Sequence, residues 1–112
     1  MDGTKFRNKR TTLDGEVFDS RKEARRWAEL RLLEKAGEIT QLSRQTVFEL
    51  IPNQLENGKV IERKVTYKAD FTYWDHGHYV CEDVKSEATK TPVYRLKKKL
   101  MRYVHGIAIK EV

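Results

Sequence analysis

Two strand-like runs hinged on one tight turn dominate this chain. Val60 to Trp74 is dense in β-branched and aromatic residues, Tyr79 to Lys85 follows, and Asp75-His76-Gly77-His78 lies between them. A two-residue loop pairs Asp75 with His78, and a four-residue loop pairs Trp74 with Tyr79; both give one register. In that register Asp70 stands opposite Asp83 on a shared face, with Cβ atoms about 4.5–5.5 Å apart. Like charges so close destabilise a sheet. A divalent cation between them removes the penalty, and Mg²⁺ is typically held by one or two carboxylates plus substrate phosphate. Lys85, two residues after Asp83, projects from the same face. Two carboxylates and an ammonium at one end of a hairpin suit phosphodiester hydrolysis. The metal polarises the phosphoryl oxygen and lowers the pKa of water, while Lys85 orients or deprotonates that water or stabilises developing charge. The plainer alternative is a pair of solvated acids near a turn, since a one-residue slip sends them to opposite faces.

The rest of the chain frames this hairpin. Thr11 to Phe18 alternates around Asp14-Gly15 and predicts a small hairpin. Ser20 to Ala36 predicts a helix, with Ser20 as N-cap, Glu23 completing a capping box and Gly37 as the stop. Residues 46–52 read as a strand and 53–59 as a turn or loop. Thr91-Pro92 opens a second helix running to about Val104 or His105, where Gly106 stops it. Residues 107–112 give a short final strand. The order predicts an α/β (α+β) domain with a mixed central sheet flanked by helices.

Composition narrows the class. At 112 residues the chain fits one domain. Residues 1–10 carry Lys5, Arg7, Lys9 and Arg10 without apolar periodicity and read as a flexible basic arm, leaving 11–112 as the domain. The formal net charge of +6 favours a polyanionic partner, nucleic acid before an acidic membrane surface. Cys81 is the sole cysteine, which rules out an internal disulfide and a thiolate zinc cluster. No secretory h-region and no membrane-length apolar run is present, so a soluble intracellular protein is expected.

Three further features bear on a site. Glu23 shares a helix face with Trp27 and Leu30, which points an acid at the sheet; it either joins the carboxylate pair or serves only as the cap. In the second helix Val93, Leu96, Leu100 and Val104 form the expected apolar face, with Arg95, Lys98, Lys99 and Arg102 opposite. Residues 85–102 hold seven basic side chains, Lys97 among them, and one acid. This basic run follows the carboxylate pair directly, which favours phosphate contact over simple solvation. Thr89, Thr91 and Tyr94 add hydrogen-bonding groups there. His76 and His78 read as turn residues, Trp27, Trp74, Phe71 and Tyr73 as packing, and Cys81 as a half-buried strand residue.

The ordered set of FDSRKEARRWAELRLLEKAGEI, LSRQTVFEL, YKADFTYW and CEDVKSEATKTPVYRLKKKL resembles the PD-(D/E)xK nuclease superfamily. It is most similar to small phage-encoded members described as a domain of unknown function. The resemblance spans nearly everything from residue 11 onward. Ala69 stands where the motif's proline would be, and Asp83 where Glu is commoner. The resemblance implies a restriction-endonuclease-like core with a sheet of about four to five strands. It also implies metal-site carboxylates at Glu23, Asp70 and Asp83, a further ligand in the Val84 carbonyl, and a catalytic Lys85. Gln45 matches a family position that orients water or phosphate, though a surface amide at a strand start reads equally well. Glu82 faces the other side of its strand and is not expected to be a ligand. The implied function is a Mg²⁺-dependent endonuclease, with Mn²⁺ as a substitute. It would act on branched DNA like a Holliday-junction resolvase, as a homodimer, in the cytoplasm of a phage-infected bacterium. The competing readings are a non-catalytic DNA-binding module of the same fold and a nicking or restriction-like nuclease on ordinary duplex.

Overall fold

The structure is a computed structural model and describes residues 10–112. The basic arm expected over 1–10 lies, except for Arg10, outside the described residues. Three hairpins close with the same device, a two-residue turn in which both residues are left-handed. The pairs are Asp14-Gly15 (φ 51° and 79°), Asn57-Gly58 (52° and 78°) and His76-Gly77 (48° and 86°). Such turns match the right-handed twist of the flanking strands, and glycine takes the second place without steric cost.

The first hairpin is β1 (Thr11–Leu13) and β2 (Glu16–Phe18), as its pattern predicts. Helix α1 (Arg21–Lys35) follows, capped by Ser20, whose hydroxyl accepts from the Glu23 amide at 3.1 Å. Strand β3 (Ile39–Ile51) starts seven residues earlier than the expected 46. Its first half lacks apolar alternation, and pairing with β6 holds it extended. Residues 53–59, read as a loop, form part of a hairpin of β4 (Gln54–Glu56) and β5 (Lys59–Glu62) instead. The long strand expected over 60–74 is therefore split at Arg63-Lys64, and β6 covers Val65–Asp75. Strand β7 (His78–Asp83) leads through a 3-10 turn (Glu87–Thr89) into α2 (Pro92–Leu100), with Pro92 in the first turn. The helix loosens into a π turn (Met101–His105) and stops at Gly106 (φ 69°). Strand β8 is only Lys110–Glu111, shorter than the expected 107–112.

The central sheet has the order β3-β6-β7-β8, antiparallel except for the parallel β7–β8 pair. It is the mixed α/β sheet of four strands that the pattern predicts, with two helices. No helix among the described residues is long and apolar enough to cross a membrane.

Two apolar clusters fill the interior. One joins Phe18, Ala24, Trp27 and Leu30 to Ile39, Phe71 and Tyr73; the other joins Leu50, Tyr67 and Ala69 to Cys81, Tyr94, Met101 and Ile109. Residues two apart on a strand normally share a face. On β6, however, Ala69 belongs to one cluster and Phe71 to the other, so the strand turns over at Asp70. Across from it on β3, Gln45 has φ 54° within the ladder between Arg44–Phe71 and Thr46–Ala69.

Of the apolar face expected of α2, Leu100 packs against the second cluster and the rest does not. Val93 and Leu96 are 62% and 58% exposed, and Val104 is exposed too. Tyr94 and Met101, one row further round, are buried instead. Lys97 and Lys98 lie half-buried between them, because long lysine stems cover apolar surface while their heads reach polar partners.

Candidate active site

The β6–β7 register is the expected one, running from Asp75–His78 to Phe71–Glu82. The ladder ends there, and the next residues of the two strands, Asp70 and Asp83, bring their carboxyl groups within hydrogen-bond reach of one another. The Asp70 carboxylate accepts from the Val84 amide at 2.8 Å. Burial, then the hydrogen bond and charge of the adjoining Asp83, push the Asp70 carboxyl up to about 8. Asp83 is buried, and the Tyr67 hydroxyl donates to its Oδ2 at 2.8 Å. Burial and this carboxylate raise the Tyr67 hydroxyl well above its ordinary range, so it stays a donor. Lys85 Nζ lies 3.5 Å from the same Oδ2 and 4.2 Å from the centre of the Tyr94 ring.

Glu23 enters from the first turn of α1 and is 5% exposed. Burial pushes its carboxyl up, Asp19 and Asp83 add to this, and Arg44 opposes it from 3.8 Å. Its amide makes the cap bond to Ser20 while its carboxylate takes a backbone bond at Asp19 and faces the cavity. Only the Ser20 half of the expected capping box is formed: the Glu23 carboxylate does not close it at Ser20.

A cavity of about 470 Å³ gathers these groups. It brings together Glu23, Gln45, Asp70, Asp83, Val84, Lys85, Thr89, Thr91, Tyr94 and Lys97 from the predicted set. Arg95, Lys99 and Arg102 do not reach it and stand exposed on and beyond α2. Lys98 is drawn away to Glu111 Oε2 at 3.1 Å. Tyr94 offers no free hydroxyl, since it is buried and donates to Glu111 at 2.7 Å. Glu82 turns to the opposite side, as expected. It is fully buried and held by Arg26 through two bonds of 2.8 and 2.6 Å and by the Tyr73 hydroxyl.

Four participants stand outside the predicted set. Tyr67 and Lys68, neighbours on β6, both line the cavity; alternation from Asp70 places Lys68 there but not Tyr67, which enters because the strand turns over at Asp70. Arg44 joins β3 to Glu16 at 2.7 Å and lies 4.0 Å from the centre of the Phe18 ring, beside Glu23. Glu111 comes opposite Asp83 only through the parallel β7–β8 pairing, a long-range contact with no local signature.

Among the described residues no group of three or more His, Cys, Asp or Glu side chains is gathered closely enough to cage a metal ion. What the cavity does present is an all-oxygen pair, Asp70 and Asp83, in which burial and the neighbouring Asp83 raise the Asp70 carboxyl. That suits a hard cation bound by one or two carboxylates and completed by substrate phosphate. No curated protein and no solved structure matches the chain. A family profile matches residues 3–109, and the chain belongs to that family, the proteins of unknown function DUF1064.

Proposed function

We propose that this protein is a magnesium-dependent DNA endonuclease acting on branched DNA in the manner of a Holliday-junction resolvase, with manganese able to replace magnesium. One observation carries the reading: Asp70 and Asp83 meet across β6 and β7 in an open cavity with the Lys85 ammonium 3.5 Å from Asp83. Acids pressed together cost stability, and a cavity that also collects lysines gives them a cationic partner. Asp70, Asp83 and the Val84 carbonyl would hold the ion, with Glu23 behind them. When bound, the metal supplies Lewis-acid polarisation of the phosphoryl group and a more acidic water.

The chain's own groups have separable tasks. Tyr67 holds Asp83 in a fixed rotamer, and the Val84 amide does the same for Asp70. Lys85 orients a nucleophilic water or balances charge on the phosphate oxygens. Gln45, Lys68, Lys97, Thr89 and Thr91 line the approach and bind the backbone of the substrate. A homodimer acting in the cytoplasm of a phage-infected bacterium belongs to the same reading, because cutting a four-way junction takes paired incisions.

The test is a panel of four-way junction, flap, nicked and linear duplex substrates, each with Mg²⁺, Mn²⁺ or EDTA. Metal-dependent junction cleavage is expected, lost in Asp70→Ala, Asp83→Ala and Lys85→Ala with binding retained. Preference for plain duplex would make the enzyme a nicking or restriction-like nuclease. Salt-sensitive binding with no cleavage under any metal would make it a binding module.

A further inference from the structure

We infer that Tyr94 is a positioning residue for Lys85, its ring face holding the ammonium at the cavity wall beside Asp83 and its hydroxyl anchored from behind by Glu111. The inference rests on the nuclease reading of Lys85. Lys85 lies beyond the last residue of β7. Its amide is bonded to the Val112 carbonyl at 3.1 Å and its carbonyl accepts from Lys22 Nζ at 3.0 Å, so its backbone is fixed. Those bonds leave the four-carbon stem free to swing. Two contacts limit it, Asp83 at 3.5 Å and the Tyr94 ring at 4.2 Å, and only the ring carries no charge of its own to be neutralised by a bound cation.

The ring is itself immobile. Tyr94 is 7% exposed, and its hydroxyl donates to Glu111 Oε2 at 2.7 Å. Glu111 is held in turn by Lys98 at 3.1 Å and Lys90 at 3.3 Å. The hydroxyl is therefore used up on the β8 side, and the electron-rich face is what Lys85 meets. When a cation takes the charge of Asp83, the Tyr94 face remains to keep Lys85 within reach of phosphate rather than in solvent.

The first readout uses the free protein and no DNA. The Lys85 ε-methylene resonance, identified by its loss in Lys85→Met, is expected upfield of the other lysines through the ring current. Tyr94→Phe keeps that displacement and Tyr94→Leu removes it. The second readout is junction cleavage with Mg²⁺. Tyr94→Leu lowers kcat about tenfold, the scale of one cation–π contact, with KM for the junction little changed, and Tyr94→Phe restores most of the rate. An ordinary Lys85 shift in the unaltered protein overturns the inference whether or not DNA is cut. So does a Tyr94→Leu enzyme with undiminished kcat, or a Tyr94→Phe enzyme as slow as Tyr94→Leu. A displaced resonance in a protein that cuts nothing marks failure of the nuclease reading, and positioning for catalysis falls with it. If Tyr94→Leu does not fold, the unaltered protein and Tyr94→Phe decide: both must show the upfield Lys85 resonance, and an ordinary shift in either overturns the inference.

Discussion

Glu82 and Asp70 are carboxyl groups withdrawn from solvent, and their surroundings treat them in opposite ways. Burial alone would raise the Glu82 carboxyl, but the Arg26 fork and the Tyr73 hydroxyl, with Lys110, bring it net below the ordinary range. Because the folded pKa is depressed, this group stabilises the fold above its unfolded pKa. That contribution is lost as pH falls through the lower folded value. Glu111, brought down to about 2 chiefly by the Tyr94 hydroxyl, has the same sign between roughly 4.5 and 2. Urea midpoints should therefore fall with acidification below about pH 4.5, and Glu82→Gln should flatten that dependence. Glu82→Gln should also cost about 2 kcal/mol at pH 7, because it leaves Arg26 with the exposed Glu29 carboxylate, at 3.0 Å, as its remaining counter-charge. Asp70→Asn should behave oppositely. It keeps an acceptor for the Val84 amide and removes the repulsion from Asp83, so the urea midpoint at pH 9 should be held or raised while junction cleavage is lost. A clear drop in that midpoint would show the acid pair to be structural.

At the scale of elements, burial divides the chain sharply. Every residue of β4 and β5 is exposed, including Leu55 and Ile61, whereas Met101 is fully buried beneath α2. Leu55→Ser and Ile61→Ser should shift stability by no more than about 0.5 kcal/mol, and Met101→Ala should cost about 2–5 kcal/mol. Denaturant titration of the three variants checks this. The same contrast shows what was legible beforehand. Turn chemistry gave away Asp14-Gly15 and His76-Gly77, and the Ser20 and Thr91 caps located both helices, because those signals are local. The register of β6 and β7 follows from one turn, and with it the meeting of Asp70 and Asp83. The early start of β3, the reversal of β6 at Asp70 and the buried face of α2 were hidden. Each depends on what packs against the element rather than on its own pattern. The apolar row Val93-Leu96 is a good helical stripe that this sheet does not use.

For the molecule as a whole, charge placement matters more than the net value of +6. Lys98 and Lys90 are neutralised by Glu111, while Lys68 and Lys97 face the cavity. Binding to junction DNA should weaken steeply with salt. Lys68→Ala and Lys97→Ala should each lower the magnitude of the log–log slope by about one, and Lys98→Ala should leave it nearly unchanged. Equal effects from all three would mean that DNA lies along α2 and not across the cavity.

Among the described residues strand β3 pairs with another strand along one side only, and at thirteen residues it is the longest strand in the sheet. A straight ribbon of that length would invite another polypeptide to zip onto its unpaired amides and end in fibrils. Gln41 and Gln45, with φ of 55° and 54°, twist the ribbon out of true at two places and spoil it as a template. Straightening it with threonine at both positions should leave a protein that clumps on standing, visible as rising thioflavin fluorescence, where the native chain stays in solution.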